Sequence, residues 1–433
     1  MQRISLDNLD RIKNGKRYDL PINNQMIFPY YEGLSLVNIP GSIAKLLGTP
    51  AFGRSVLEDS ILDPLGGPYN KVILMLVDAL GFNLFNRLLR HDEKSFWQRN
   101  LKNAIFSPIT SVCPSTTASA LTTLWTGQPP ARHGIIGYEM WAKEFGMLIN
   151  NIGHSAATSK GDTGGLKRSG FDPYTFLDTP LFGPHLRAHG VTPTTFIHRS
   201  IAHSGLSVMQ MRDVDIHTFV DEADLCLSMA HQLNHTPNAR EYLYVYYSDV
   251  DTLMHHYSDE DERILLQFEF FSHLFEEAFL KKISPAVADN TLLILLADHG
   301  SMTTPDNPRF NLANHPDLLD CLVMQPTCEH RLAFFFVRPG RLQTLKDYFA
   351  RTWPDEFYLL EADQALESGL FGNAPHKKRV RDRVGDVIAV SKGNAYLWWA
   401  DKPNLMAGRH GGLSPDEMLV PFYALPLKRV ELS

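Results

Sequence analysis

Residues 72–77 read VILMLV and run directly into Asp78, followed by Ala79-Leu80-Gly81-Phe82. Successive side chains of a strand point to opposite sheet faces, so an unbroken apolar run suits a strand buried on both sides. Three other runs share this character: YLYVYY at 242–247, LLILLA at 292–297 and LAFFFV at 332–337. Apolar residues at helical spacing follow the first run at 80–89 and the second at 264–279. Strands alternating with helices predict an α/β core, doubly wound, with a mostly parallel sheet covered by helices on both faces.

Residues 301–395 are less regular, rich in Pro and polar residues, and end in the basic cluster Lys377, Lys378, Arg379, Arg381 and Arg383. They read as an inserted smaller cap. That leaves 1–70 as an N-terminal extension packing on the core, 71–300 as the first part of the core and 396–433 as its last part. The basic cluster reads as a solvated face, with a phosphate-attracting rim as the alternative. No internal repeat or low-complexity segment interrupts this plan.

The 433 residues allow two or three domains, or one large domain with an insertion. With 44% hydrophobic and 21% charged residues, 29 Gly and 27 Pro, the composition is that of a globular protein, which excludes disordered, collagen-like and coiled-coil classes. Lys and Arg number 41 against 48 Asp and Glu, a net charge of −7, the wrong sign for holding a nucleic-acid backbone. Cys113, Cys226, Cys321 and Cys328 form no CxxC pair and read as reduced thiols. The first residues lack the apolar core of a signal peptide, and no run approaches the ~18 apolar residues of a membrane span. The expectation is a cytoplasmic protein with no membrane partner, its oligomeric state left open.

In an open α/β sheet, ligands bind beyond the carboxyl ends of the strands. Asp78 ends the first run, and its structural alternative is an N-cap for the following helix. Asp298 and His299 end LLILLA, and two adjacent metal-capable side chains there are harder to explain as capping. After YLYVYY come Asp249, Asp251 and His255. The Asp251-x-x-x-His255 spacing places a carboxylate and an imidazole on one helical face, where they could share an ion or form a simple ion pair. Gly408-Arg409-His410-Gly411-Gly412 sets a histidine in a glycine-rich loop. This mixed oxygen and nitrogen set suits zinc, with manganese as second choice. In Pro114-Ser115-Thr116-Thr117-Ala118, small hydroxyl residues precede a helix-compatible stretch, as at a phosphate-binding helix start or an ordinary Ser/Thr N-cap.

The order Asp78, PSTTASALTTLWTG with PPARHGIIG, Asp251-x-x-x-His255, Asp298-His299-Gly300 and His410-Gly411-Gly412 resembles the alkaline phosphatase superfamily. More narrowly, it resembles the type I phosphodiesterase/nucleotide pyrophosphatase branch, over roughly residues 70–425. The resemblance implies an alkaline phosphatase-like core and Thr117 as nucleophile, nine residues before the Thr of Thr126-Gly127. It implies two divalent metals, most simply zinc: one held by Asp251, His255 and His410, the other by Asp78, Asp298 and His299 with Thr117 as a further ligand. The implied activity is hydrolysis of a phosphodiester or phosphoanhydride in a small-molecule phosphate ester, through a phospho-threonine intermediate.

Several positions depart from the family pattern. The Asn usual three residues after the nucleophile is Ala120, which puts nucleotide-specific chemistry in doubt. Ser258 stands where a glycine commonly follows the ligand histidine. Asp249 matches less clearly than Asp251 and reads as supporting or structural, and His133 reads as a turn residue. Cys113-Pro114 does not make a sulfatase motif, because the nucleophile position holds Thr117 and no Arg follows at the required distance. Residues 118–127 contain no Lys or Arg, favouring a diester over a dianionic monoester. Gly137-Tyr138-Glu139-Met140-Trp141 could line a pocket or pack as a core flank. The rival functions are a phosphomonoesterase or phosphonate hydrolase of the same superfamily, and a non-catalytic metal-binding protein on this fold.

Overall fold

A computed structural model describes residues 3–15, 18–23, 25–158 and 162–432. Its main sheet is built from β1 (Lys71–Val77), β2 (Ile105–Thr110), β3 (Thr192–His198), β4 (Asp215–Phe219), β5 (Glu241–Tyr247), β6 (Thr291–Leu296) and β7 (Leu419–Pro426). The spatial order is β2-β7-β6-β1-β5-β3-β4. β1 runs parallel to β5 and β6, and β3 parallel to β5 and β4, whereas β7 is antiparallel to β6 and β2. Every residue of β1, β5 and β6 is buried, so the centre of the sheet is covered on both faces, as the unbroken apolar runs require. The sheet is thus the mostly parallel one expected of an α/β core.

Register places the chemistry. Val77 lies opposite Tyr247 and Leu76 opposite Leu296, so β1, β5 and β6 end at one level. Asp78, the 249–251 segment and Asp298 therefore leave the same edge side by side. Helix α1 (Phe82–His91) follows β1, α2 (Thr117–Thr126) follows β2, and α3 (Asp249–Tyr257) follows β5. The helical spacing at 264–279 becomes α4 (Glu262–Leu274), which continues into a π-helical turn over Phe275–Leu280.

A second, antiparallel sheet lies apart from the first. Its strands run in the order Phe357–Glu361, Val387–Ser391, Leu332–Phe335, Thr327–Glu329, Glu139–Ala142, Met147–Asn150 and Ser155–Ala156. The 301–395 segment supplies four of these strands, and the other three come from 139–156, directly after the α2 region. The LAFFFV run belongs here rather than to the parallel sheet. It is apolar throughout because its two faces meet different cores: Leu332 and Phe334 pack into the main core, and Ala333 and Phe335 into a satellite cluster with Phe349 and Trp353. The basic cluster is not a free solvated face. Lys377 and Arg379 pair with Asp178, Arg381 with Asp363, and the buried Arg383 reaches Glu144 and the Gly134 carbonyl.

Residues before β1 cover the outer edge of β2, which would otherwise present unpaired backbone groups. The Thr110 amide donates to the Leu34 carbonyl at 2.8 Å, and Thr110 Oγ1 accepts from the Tyr30 amide at 2.8 Å. The four cysteines are all buried and unpaired with one another. Among the described residues, no helix is long and apolar enough to cross a membrane.

Candidate active site

Asp78 does not cap α1. Gly81 occupies the N-cap position, and Ala79 takes a left-handed φ of 59°, turning the chain sharply so that the Asp78 carboxylate stays at the sheet edge. There Tyr246 donates to Asp78 Oδ2, while Oδ1 is buried with no hydrogen-bond partner. Asp298 Oδ1 accepts from the amides of Ala79 (3.3 Å) and His299 (3.0 Å), and Oδ2 is likewise buried and unpartnered. Asp251 Oδ1 is a third such atom. Three orphaned carboxylate oxygens in one place are unusual, because each forfeits its hydration without a compensating donor.

The histidines point the same way. His299 Nδ1 lies 3.1 Å from the Gly300 carbonyl, His255 Nδ1 2.9 Å from that of Gly408, and His410 Nδ1 3.2 Å from that of Ser115. A ring whose Nδ1–H donates to a carbonyl presents a bare Nε2 lone pair. His299 Nε2 sits 3.5 Å from Asp78 Oδ1, 3.3 Å from Asp298 Oδ2 and 3.1 Å from Thr117 Oγ1. His255 Nε2 is 3.4 Å from Asp251 Oδ2, and His410 Nε2 is 3.8 Å from Asp251 Oδ1. Acceptors facing acceptors repel one another unless a cation lies between them.

Two overlapping groups have ligand atoms mutually within 4.8 Å: Asp78, Asp298 and His299, and Asp251, His299 and His410. The rings of His299 and His410 stack at 3.8 Å, which places His299 between the two groups, and His255 adjoins the second through Asp251. Electrostatics follows from burial and crowding. Burial, then the charges of Asp298 and Asp251, push the Asp78 carboxyl well above the usual range, and Asp298 is pushed up to about 7 chiefly by burial. Burial, then the nearby His299 and His255, hold His410 well below an ordinary imidazole. The residues present thus fit a divalent cation: buried carboxylate oxygens with no donor, and imidazoles that turn a bare Nε2 toward them.

Thr117 opens α2, and the N-cap position belongs to Thr116. The Thr116 hydroxyl donates to Glu329 instead of capping the helix, so no side chain satisfies the first-turn amides. Thr117 is 8% exposed and lines a cavity of about 550 Å³. The other lining residues include Asp251, His255 and His410, so all the converging groups on that side open to one space.

Sequence reasoning missed the far side of this cavity, formed by Glu329, His330, Trp398, Trp399 and Lys402. The available signal was Glu329-His330-Arg331, three polar residues set against a fully apolar strand. Glu329 accepts from Thr116 Oγ1 and, at 3.2 Å, from the Tyr138 amide, and burial pushes its carboxyl up to about 8. Of the 137–141 segment, Tyr138 and Glu139 line the cavity and Met140 is core. Ala120 is fully buried. Asp249 lies elsewhere, in a crevice with His198 and Glu222. His133 is the last residue of a one-turn helix, Pro130–His133, rather than a turn residue, and its Nδ1 accepts from the Ile135 amide at 3.1 Å.

The sequence profile described as "Type I phosphodiesterase / nucleotide pyrophosphatase" matches residues 72–413, well over half of the chain. The chain belongs to this family. No curated protein shows significant sequence similarity to it. Among solved structures it is similar to murine ectonucleotide pyrophosphatase/phosphodiesterase 5, with a TM-score of 0.61 and 15% identity over 82% of this chain and 88% of that one. It is also similar to phosphonoacetate hydrolase from Sinorhizobium meliloti 1021 in complex with phosphonoformate, with a TM-score of 0.57 and 17% identity over 81% and 89% of the two chains. At these identities the likeness speaks for the fold, and membership of the family makes the chain a phosphoesterase-type hydrolase.

Proposed function

We propose that the chain is a metal-dependent phosphoesterase that hydrolyses phosphodiester or phosphoanhydride bonds with Thr117 as nucleophile. The supporting observation is the clustering of three orphaned carboxylate oxygens, three imidazole Nε2 atoms and Thr117 Oγ1 at the sheet edge, beside the cavity that Thr117, Asp251, His255 and His410 line. Asp78, Asp298 and His299 would hold one divalent ion, with Thr117 beside it. Asp251, His255 and His410 would hold a second, with zinc the first choice for both. Bound there, the ions supply positive charge that favours the ionised threonine and the developing charge on the phosphoryl and leaving oxygens.

The protein's own groups do the rest. Thr117 Oγ1 loses its proton and forms a bond to phosphorus as the bond to the leaving oxygen breaks and that oxygen takes up a proton. Water then cleaves the phospho-threonine, returning the hydroxyl. The uncapped first turn of α2 offers backbone amides to a phosphoryl oxygen. The diester reading is favoured over the monoester one because no Lys or Arg lies on α2 and, among the described residues lining the cavity, Lys402 is the single Lys or Arg.

The test is steady-state hydrolysis of bis-p-nitrophenyl phosphate and p-nitrophenyl phosphate by zinc-loaded protein, with Thr117→Ala as control. Faster diester turnover that disappears in Thr117→Ala is expected. A monoester preference moves the assignment to a phosphatase, and activity surviving in Thr117→Ala overturns the nucleophile.

A further inference from the structure

The cavity beside Thr117 has a chemical character that the metal-site residues do not account for. Two carboxyl groups from the second sheet face it, Glu139 and Glu329. They come from adjacent strands, where Glu139 pairs in register with Cys328. Glu329 reaches closest to the chemistry, because its Oε1 accepts from the hydroxyl of Thr116, the neighbour of Thr117. Glu139 is fixed by the Trp399 indole, whose Nε1 donates to Oε2 at 3.0 Å. Aromatic faces from Tyr138 and Trp399 complete that side, and Lys402 is the one cationic side chain on the described lining.

Such a wall discriminates by charge. A substrate already brings one negative charge on its scissile phosphodiester, which the cations that Asp78, Asp298, His299, Asp251, His255 and His410 would hold are placed to offset. Above about pH 8, where Glu329 is ionised as well as Glu139, a second anionic group, such as the further phosphate of a nucleoside di- or triphosphate, would lie against carboxylates in a confined, partly desolvated space, where like-charge contacts are costly. An uncharged group loses nothing there, and an amine gains both the carboxylates and the aromatic faces.

Resting on the phosphodiesterase reading above, we infer that this cavity selects phosphodiesters whose second organic group is uncharged or amine-bearing, and rejects those carrying a second anionic group. Glu139 and Glu329 are the specificity-determining residues. Phosphodiesters of neutral or amino alcohols are then the substrate class, in preference to phosphoanhydrides with a further ionised phosphate.

The experiment uses three p-nitrophenyl phosphodiesters of nearly equal size, in which the second ester is 2-aminoethyl, propyl or 2-carboxyethyl. Zinc-loaded full-length protein is assayed for kcat/KM on each at pH 9, above the value of about 8 to which burial raises Glu329. The same three compounds are titrated calorimetrically into zinc-loaded Thr117→Ala, which reads binding independently of turnover. The expected result is a loss of at least tenfold from propyl to carboxyethyl in both measurements, shrinking to under threefold in Glu139→Gln, which preserves the acceptor for Trp399. A carboxyethyl ester within threefold of the propyl ester in the unsubstituted site overturns the inference. So does a gap that persists unchanged in both Glu139→Gln and Glu329→Gln, or failure of all three compounds to bind. Binding in the expected order without hydrolysis of any ester would instead sink the phosphodiesterase reading and leave the charge selectivity standing.

Discussion

Arg331 and Glu417 form a two-pronged ion pair with neither side chain exposed, Nε to Oε1 at 2.7 Å and Nη2 to Oε2 at 3.0 Å. Glu417 does more than pair. Its Oε1 accepts from the Gly412 amide at 2.8 Å, its Oε2 from the Ser414 amide at 3.2 Å, and its backbone carbonyl from the Gly300 amide at 2.9 Å. One residue thus joins the second sheet, the loop carrying His410 and the turn carrying Asp298 and His299.

Removing one partner of a buried pair leaves an uncompensated charge, which costs about 3–5 kcal/mol, whereas replacing both with apolar residues can be near neutral. Arg331→Met alone is therefore expected to lower unfolding stability by that amount in urea titrations. The double variant Arg331→Met/Glu417→Leu should recover most of it. Zinc content per chain should nevertheless stay low in the double variant, because the Gly412 and Ser414 amides have lost their acceptor. Full zinc retention there would show that Glu417 does not position the His410 loop.

The crowded carboxylates predict a pH dependence in metal-stripped protein. Asp298 is raised from an ordinary carboxyl to about 7 by burial, and Asp78 is raised with it. A group whose folded value exceeds its unfolded one stabilises fully below the unfolded value, near 4, and that contribution is lost as pH rises through the folded value. With zinc removed by chelation, the melting temperature should fall between about pH 4 and pH 7 on this account. Asp298→Asn should flatten that fall while abolishing turnover in the zinc-loaded enzyme. A melting temperature of stripped protein that rises steadily across the same range would contradict the assignment.

The legible part of this fold was the part whose sequence obeys one constraint at a time. β1, β5 and β6 are buried on both faces and so are written as unbroken apolar runs, and their carboxyl ends deliver Asp78, Asp251 and Asp298 to one edge. β4 was invisible because it is an exposed edge strand, DIHTF, with a single buried residue. β2 and β7 were hidden by prolines: Pro108 and Pro421 face each other in register, although a proline in a strand ordinarily argues against one. Glu329 escaped notice, and Glu139 was read only as part of a segment that lines a pocket or flanks the core, for a different reason. They meet at the cavity only because 139–156 and 327–391 pair into one sheet, a long-range contact that no local pattern encodes.

Gly300 follows His299 where three segments close on one another. A Cβ at this position would overlap the Asp416 carbonyl oxygen and stand 2.9 Å from Gly81 Cα. Those neighbours are backbone, so nothing can rotate away. Gly300→Ala is expected to separate the turns behind Asp78 and Asp298, destabilising the protein by about 1–3 kcal/mol, as for other overpacked sites. Zinc affinity should drop by more than stability alone explains, since both ligand turns move. Competition with a chromophoric chelator at a temperature where the variant is fully folded measures this directly, and unchanged affinity would rule the coupling out.

Ser258 ends α3, three residues after His255, with φ 79° and ψ 169°. That region of backbone space is essentially reserved for glycine, and a side chain held there costs of order 1–3 kcal/mol. Replacement by glycine relieves the strain but frees the unfolded chain, a loss of about 0.4–1 kcal/mol in the other direction. The relief is the larger quantity, so Ser258→Gly should raise stability by about 1 kcal/mol, read as a higher urea midpoint at unchanged slope. His255 is anchored separately, by its Nδ1 to the Gly408 carbonyl, and zinc affinity is therefore expected to stay within twofold. A lower midpoint in Ser258→Gly would mean that the strained backbone is compensated by contacts of the serine itself, and the assignment of strain at this turn would fall.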